Sequence, residues 1–183
     1  MRILFIGDIF GRSGREALEA QLPKLKEQLK PDVVIVNGEN AANGAGITEK
    51  ICNEFYSWGV DCITTGNHVW DQREIIPYIA RDEKLLRPLN YPPGTPGSGV
   101  CKLQLQDGRK ITIINAMARL FMDAMEDPFR MIREVLAKEK LGQTTDAIFV
   151  DFHGETTSEK MSLGHYLDGK VSAVVGTHTH VPT

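Results

Sequence analysis

Short, wholly apolar runs alternate along the chain with longer stretches whose apolar residues recur at helical spacing. Residues 2–7 form the first run, compact enough for a strand. Gly11-Arg12-Ser13-Gly14 follows, and Ser13 with Glu16 three residues on reads as a capping box opening a helix. Leu18, Leu22, Leu25 and Leu29 then recur at spacings of 4, 3 and 4, one helical face, until Lys30-Pro31 stops it. Residues 33–36 are continuously apolar, as in strands buried on both faces of a parallel sheet.

The alternation continues. Residues 48–58 read as a helix ended by Gly59 and 60–64 as a strand; Asp71 with Glu74 repeats the capping-box spacing before a helix over about 72–80. Residues 91–99 carry too many prolines and glycines for regular structure and read as a surface loop. Segments 100–105 and 110–115 flank Asp107-Gly108, a hairpin signal. Asp127-Pro128 pairs an N-cap with a proline at the first helical position, opening a helix to about Lys140. Segments 147–152 and 171–176 are two further buried strands. Strands separated by helices predict an α/β layered fold with an antiparallel hairpin added, in a single domain over 1–183.

Composition narrows the class. The 183 residues, 42% hydrophobic and 25% charged, are those of an ordinary globular domain rather than a disordered tail or disulfide scaffold. A formal net charge of −3 argues against a chain devoted to gripping nucleic acid; RNA is a partner that charge does not indicate. No stretch approaches the roughly 18 apolar residues needed to span a bilayer, and the first apolar run ends at Gly7-Asp8, too early for a signal peptide. Cys52, Cys62 and Cys101 are odd in number and widely spaced, which suits reduced thiols in a cytoplasmic protein.

The polar residues after each strand carry the chemistry. The strand ends read Gly7-Asp8, Asn37-Gly38-Glu39-Asn40, Thr65-Gly66-Asn67-His68, Asp151-Phe152-His153-Gly154-Glu155 and Gly176-Thr177-His178-Thr179-His180. In open α/β sheets ligands bind in the crevice at the carboxyl ends of the strands. Each element alone has a bland alternative: Asp8 as a turn cap, Glu39-Asn40 as loop polarity, His178 and His180 as solvated side chains. Their joint placement outweighs those readings, because four of the five histidines directly follow apolar strands. His165 lies elsewhere and reads as a structural or surface residue.

Carboxylate, carboxamide and imidazole without thiolate suit manganese, iron, zinc or cobalt. The candidates outnumber the ligands of a closed structural zinc site. Two ions about 3.5–4 Å apart, sharing a carboxylate, would use such a set and suit phosphoester hydrolysis.

These blocks resemble the calcineurin-like metallophosphoesterases. The segments Gly-Asp-Ile-Phe-Gly-Arg, Asn-Gly-Glu-Asn-Ala and Gly-Asn-His-Val-Trp-Asp, with Phe10 where most of that superfamily has a histidine, are similar to those of the bacterial YmdB-like phosphodiesterases. The resemblance implies a layered β-sandwich flanked by helices and a dinuclear centre holding iron or manganese, with zinc as a further option. Asp8 and His180 would hold one metal and Asn67, His153 and His178 the other. Glu39 would bridge them, Asn40 would replace the missing histidine ligand, and His68 would be the catalytic histidine. It also implies hydrolysis of small phosphodiesters, 2′,3′- or 3′,5′-cyclic nucleotides among them. A phosphomonoesterase or protein phosphatase, and a non-catalytic module binding metal and nucleotide, are the competing functions.

Members of that family continue for several tens of residues beyond the final histidine pair, whereas this chain stops at Val181-Pro182-Thr183. The expectation is a domain lacking its C-terminal strands, prone to self-association as a homo-oligomer or to marginal stability. Loop 91–99 and Arg119-Leu120-Phe121-Met122 are candidates for substrate contact, but read more simply as a connection and an apolar packing segment. Arg130 and Arg133 read as a solvated helix face.

Overall fold

Two sheets lie face to face in the computed structural model, which describes residues 1–183. The first is parallel, in the order β1 (Ile3–Ile6), β2 (Val33–Asn37), β3 (Cys62–Thr64), with Ile3 beside Val33 and Ile35 beside Cys62. The second runs β4 (Val100–Gln104), β5 (Lys110–Met117), β6 (Ala147–His153), β7 (Ala173–Thr177). The β4–β5 hairpin is antiparallel, and β5, β6 and β7 are parallel.

The two-residue side-chain period of a strand divides the core into three layers. Val33 and Ile35 of β2, Cys62 of β3, Ile111 and Ile113 of β5 and Ala147 and Phe149 of β6 meet between the sheets. Val34, Val36 and Ile63 face the other way, onto α1 (Gly11–Leu29), α2 (Glu49–Ser57) and α3 (Ile75–Ile79) through Leu18, Leu22, Phe55 and Ile79. On the far side, Ile148, Val150 and Phe152 pack on α4 (Pro128–Lys138) and α5 (Thr157–Leu167) through Ile132, Leu163 and Leu167. The order is helix, sheet, sheet, helix. Burying each large side chain, such as Phe55 or Phe152, contributes roughly 1.5–3 kcal/mol.

The α/β layering, the hairpin and the α4 cap match the sequence reading, and the structure adds a cap on α2 at Thr48, which the sequence reading had placed inside the helix. Thr48 Oγ1 accepts from the Ile51 amide, and Asp127 accepts from the Phe129 amide at 2.9 Å. Residues 91–99 form an irregular loop, pinned where the Arg87 guanidinium donates to the carbonyls of Thr95 and Pro96. Arg130 pairs with Glu134 one turn on along α4 and with Glu126 just before the helix, and His165 is exposed on α5. All three cysteines are buried and free.

Several elements differ. The first helix begins at Gly11, not Ser13: Phe10 is its extended N-cap, and the Gly11 amide donates to the Asn40 carbonyl at 2.9 Å. Glu16, freed from capping, pairs with Arg12. The third helix is only Ile75–Ile79, because Asp71 bonds the His68 ring instead of capping. Helix α5 and its register had no counterpart in the sequence reading. Leu29 is exposed in the last turn of α1. The segment at 119–122 does not pack: Phe121 is 87% exposed and Leu120 53%.

Candidate metal centre

The strands that deliver polar residues belong to both sheets, so the site lies across the sandwich rather than along one open sheet. At the carboxyl ends the inter-sheet face turns from apolar to polar. Asn37 follows Val33 and Ile35 on β2, Thr64 follows Cys62 on β3, Asn115 follows Ile113 on β5, and Asp151 and His153 follow Phe149 on β6. Each continues the same two-residue period, and all are buried.

His153 stands at the centre. Its Nε2 lies 3.0 Å from Glu39 Oε1, 3.0 Å from Asn67 Oδ1 and 3.1 Å from His178 Nδ1. Ligand atoms of Glu39, His153 and His178 all fall within 4.8 Å of one another. Nearby, His180 Nε2 lies 3.1 Å from Asn40 Oδ1, while the Asn40 amide donates to the Gly44 carbonyl. Asp8 Oδ2 accepts from the His178 amide at 3.1 Å; its Oδ1 is buried with no partner, 4.0 Å from His153 Nδ1.

This donor set fits metal ions. Nε2 carries at most one hydrogen, so one nitrogen cannot satisfy three electron-rich neighbours by hydrogen bonding alone. An orphaned buried carboxylate oxygen also costs about 1–3 kcal/mol unless something positive approaches it. Gly66 leaves the necessary room: a Cβ there would run into Glu39 Oε2 and His153 Nε2. Asp8, His178 and His180 adopt φ of 24°, 96° and 58°, a conformation costing roughly 1–3 kcal/mol each that clusters at functional sites.

The fields are strong. Burial pushes the Glu39 carboxyl up, but His153 and the His68 amide outweigh it and hold it below the usual range. Burial pushes His153 down, and Glu39, Asp151 and Asp8 more than reverse that. His178 is held low by burial and by His153.

The sequence-derived residues therefore fall into two clusters plus one. Glu39, Asn67, His153 and His178 converge, Asn40 and His180 touch, and Asp8 hangs on the His178 backbone. His68 stands beside them, 38% exposed, its amide on Glu39 Oε2 at 3.2 Å and its Nδ1 on Asp71 Oδ2 at 2.7 Å. Sequence reasoning used Asp71 only as a helix cap and gave no role to Glu155, quoted among the strand ends, whose Oε2 lies 3.1 Å from His178 Nε2. It also gave no role to the layer behind His153, made of Asn37, Asp151 and Thr177 from the quoted strand ends and Thr64 from outside them. The available signal was Asp151, a carboxylate inside an apolar strand two residues before His153 and so on the same face.

Residues 4–183 match the YmdB-like protein family. The chain belongs to that family. Over its whole length it is 49% identical to the 2′,3′-cyclic-nucleotide 2′-phosphodiesterase of Bacillus subtilis, covering 68% of that protein. Among solved structures, a hypothetical protein from Thermus thermophilus superposes with TM-score 0.92 at 45% identity, and a phosphatase from Mycoplasma pneumoniae with 0.91 at 34%. Each covers this whole chain, which spans 69% and 66% of their respective lengths. This YmdB-like chain thus aligns with about two thirds of each relative. No helix in it is long and apolar enough to cross a membrane.

Proposed function

We propose that this YmdB-like chain is a metal-dependent phosphodiesterase that hydrolyses small phosphodiesters, with 2′,3′-cyclic nucleotides as the leading substrate class. The observation carrying the proposal is the gathering of Glu39, Asn67 and His178 around His153 Nε2, in a chain half identical to a phosphodiesterase of that specificity.

In this reading Asp8, Asn40 and His180 would hold one ion, Asn67, His153 and His178 the other, and Glu39 both. Oxygen and imidazole donors without thiolate suit iron or manganese, and also zinc. A bound pair of such ions polarises phosphoryl oxygens and lowers the pKa of a held water toward neutrality. The chain's own residues do the rest. Asp71 occupies His68 Nδ1, which leaves Nε2 free to donate a proton to the departing alcohol oxygen. Glu39 holds His68 in place through its backbone amide, so the proton donor and the ligand cluster keep a constant separation.

The proposal includes a single metallophosphoesterase domain over 1–183 and self-association of the chain. Support for the latter is that β1 and β7 end their sheets with half-buried apolar side chains, an arrangement that favours pairing.

The test is elemental analysis of purified protein coupled to hydrolysis of 2′,3′- and 3′,5′-cyclic nucleotides, with bis(p-nitrophenyl) phosphate set against p-nitrophenyl phosphate. Bound metal with diester turnover is expected. Preference for the monoester would make the chain a phosphomonoesterase. Metal with tight nucleotide binding and no turnover would make it a binding module.

A further inference from the structure

Behind His153 lies a polar layer to which the mechanism above gives no task. We propose that Asp151 and Thr177 form a positioning relay that dictates which nitrogen of His153 faces the ligand cluster. The inference rests on reading that cluster as a metal centre.

Three donors from three strands end on the fully buried Asp151 carboxylate. Thr177 Oγ1 reaches Oδ1 at 2.7 Å, while Thr64 Oγ1 and Asn37 Nδ2 reach Oδ2 at 2.6 Å and 3.0 Å. A hydroxyl has one hydrogen. With that of Thr177 directed at Asp151, its oxygen can only accept from His153 Nδ1, 2.9 Å away. Nδ1 therefore carries a hydrogen, which leaves Nε2 as the nitrogen that would present a lone pair to an ion held among Glu39, Asn67 and His178. Asp8 Oδ1, at 4.0 Å from Nδ1, is too far to compete as acceptor.

The relay has a built-in polarity. It runs from a carboxylate that only accepts, through a hydroxyl that must donate to it, to an imidazole that must donate in turn. The alternative tautomer would place a hydrogen on Nε2, aimed at the atoms that coordinate, and would leave Nδ1 and Thr177 facing each other with lone pairs. Asp151 also ties β6 of one sheet to β2 and β3 of the other, so the ring is set from a point shared by both sheets.

Zinc, a diamagnetic probe, tests the relay in three variants. Thr177→Val keeps the shape and removes the hydroxyl; Thr177→Ser restores it. Asp151→Asn can keep an oxygen toward Thr64 and Asn37 while presenting its NH2 to Thr177. That reverses the relay and drives the hydrogen onto Nε2. Zinc affinity, measured by chelator competition, should fall 10–100-fold in Thr177→Val. It should return in Thr177→Ser and fall further in Asp151→Asn. In ¹⁵N-histidine-labelled, zinc-loaded protein the His153 Nδ1–H signal should be protected from water in the wild type and Thr177→Ser, and lost in Thr177→Val.

Equal zinc affinity in wild type and Thr177→Val, with the Nδ1–H signal unchanged, would overturn the relay. So would a folded Thr177→Ser that restores neither. Should Thr177→Val fail to fold, unaltered zinc binding by Asp151→Asn would overturn it alone. A wild-type chain that binds no zinc, iron or manganese would defeat the metal-centre reading itself, a result distinct from all of these.

Discussion

The His68 amide donates to Glu39 Oε2 at 3.2 Å, so the proton donor proposed for the leaving group is suspended from the carboxylate proposed to join the two ions. Because the link runs through the backbone, it survives truncation of the side chain. His68→Ala should therefore keep metal content near wild type while kcat falls by roughly 10²–10⁴, the usual worth of a positioned acid. Asp71→Asn, which only loosens the ring, should lower kcat less. Elemental analysis beside steady-state kinetics separates the two effects, and an emptied site in His68→Ala would make that residue a ligand instead.

Asp8→Ala and Glu39→Ala should lose metal and activity together, each removing an oxygen donor from a buried cluster of nitrogens and oxygens. Prolonged chelation of the wild type should do the same reversibly, with activity returning on re-addition of manganese or iron. Retained metal in Glu39→Ala, measured by elemental analysis, would remove that residue from the ligand set.

Gly66→Ala places a methyl group against Glu39 Oε2 and His153 Nε2. Overpacking of this kind costs typically about 1–3 kcal/mol. A lowered melting temperature with loss of bound metal is expected. Gly142→Ala, at a position open to solvent with nothing near its Cβ but with φ of 75°, should lower the melting temperature through backbone strain alone and leave metal content intact.

Acid sensitivity has a source away from the site. The Arg109 guanidinium, with the Arg2 amide, lowers the Asp32 carboxyl to about 2. The folded state thus binds the Asp32 proton less readily than the unfolded chain, whose value is 3.8. The stabilisation is complete above about pH 4 and disappears as pH falls through about 2. Asp32→Asn should be less stable than wild type at neutral pH, and the gap between their denaturant midpoints should close over that window. A gap constant with pH would mean that the pair contributes nothing through charge.

Light scattering tests the edges. Mass above that of a monomer, reduced by Phe5→Lys or Val174→Lys on β1 and β7, is expected if those strands pair between copies. A monodisperse monomer would count against self-association.

Much of the fold was legible because local rules and tertiary structure agree. Val33 to Val36 could only be a buried strand, Asp107-Gly108 could hardly avoid a hairpin, and Asp127-Pro128 caps a helix without help from elsewhere. The failures have a common cause. Ser13 and Asp71 each had the spacing of a capping residue, but the Asn40 carbonyl claimed the first helix start and the His68 ring claimed Asp71. Phe121 has the composition of a core residue but sits on a loop with φ of 61° and almost no neighbours.

The residue types of the site, and their placement after apolar strands, were set by the order of amino acids alone, since strand period and strand ends are local properties. Which of those residues touch was not, because Glu39, Asn67, His153 and His178 come from two sheets whose stacking depends on inter-sheet burial of Ile35, Ile113 and Phe149. The direction of the hydrogen on His153 lies further still from the sequence. It depends on a threonine and an aspartate that read, one at a time, as ordinary strand residues, and that acquire their roles only when the sandwich closes water out around them.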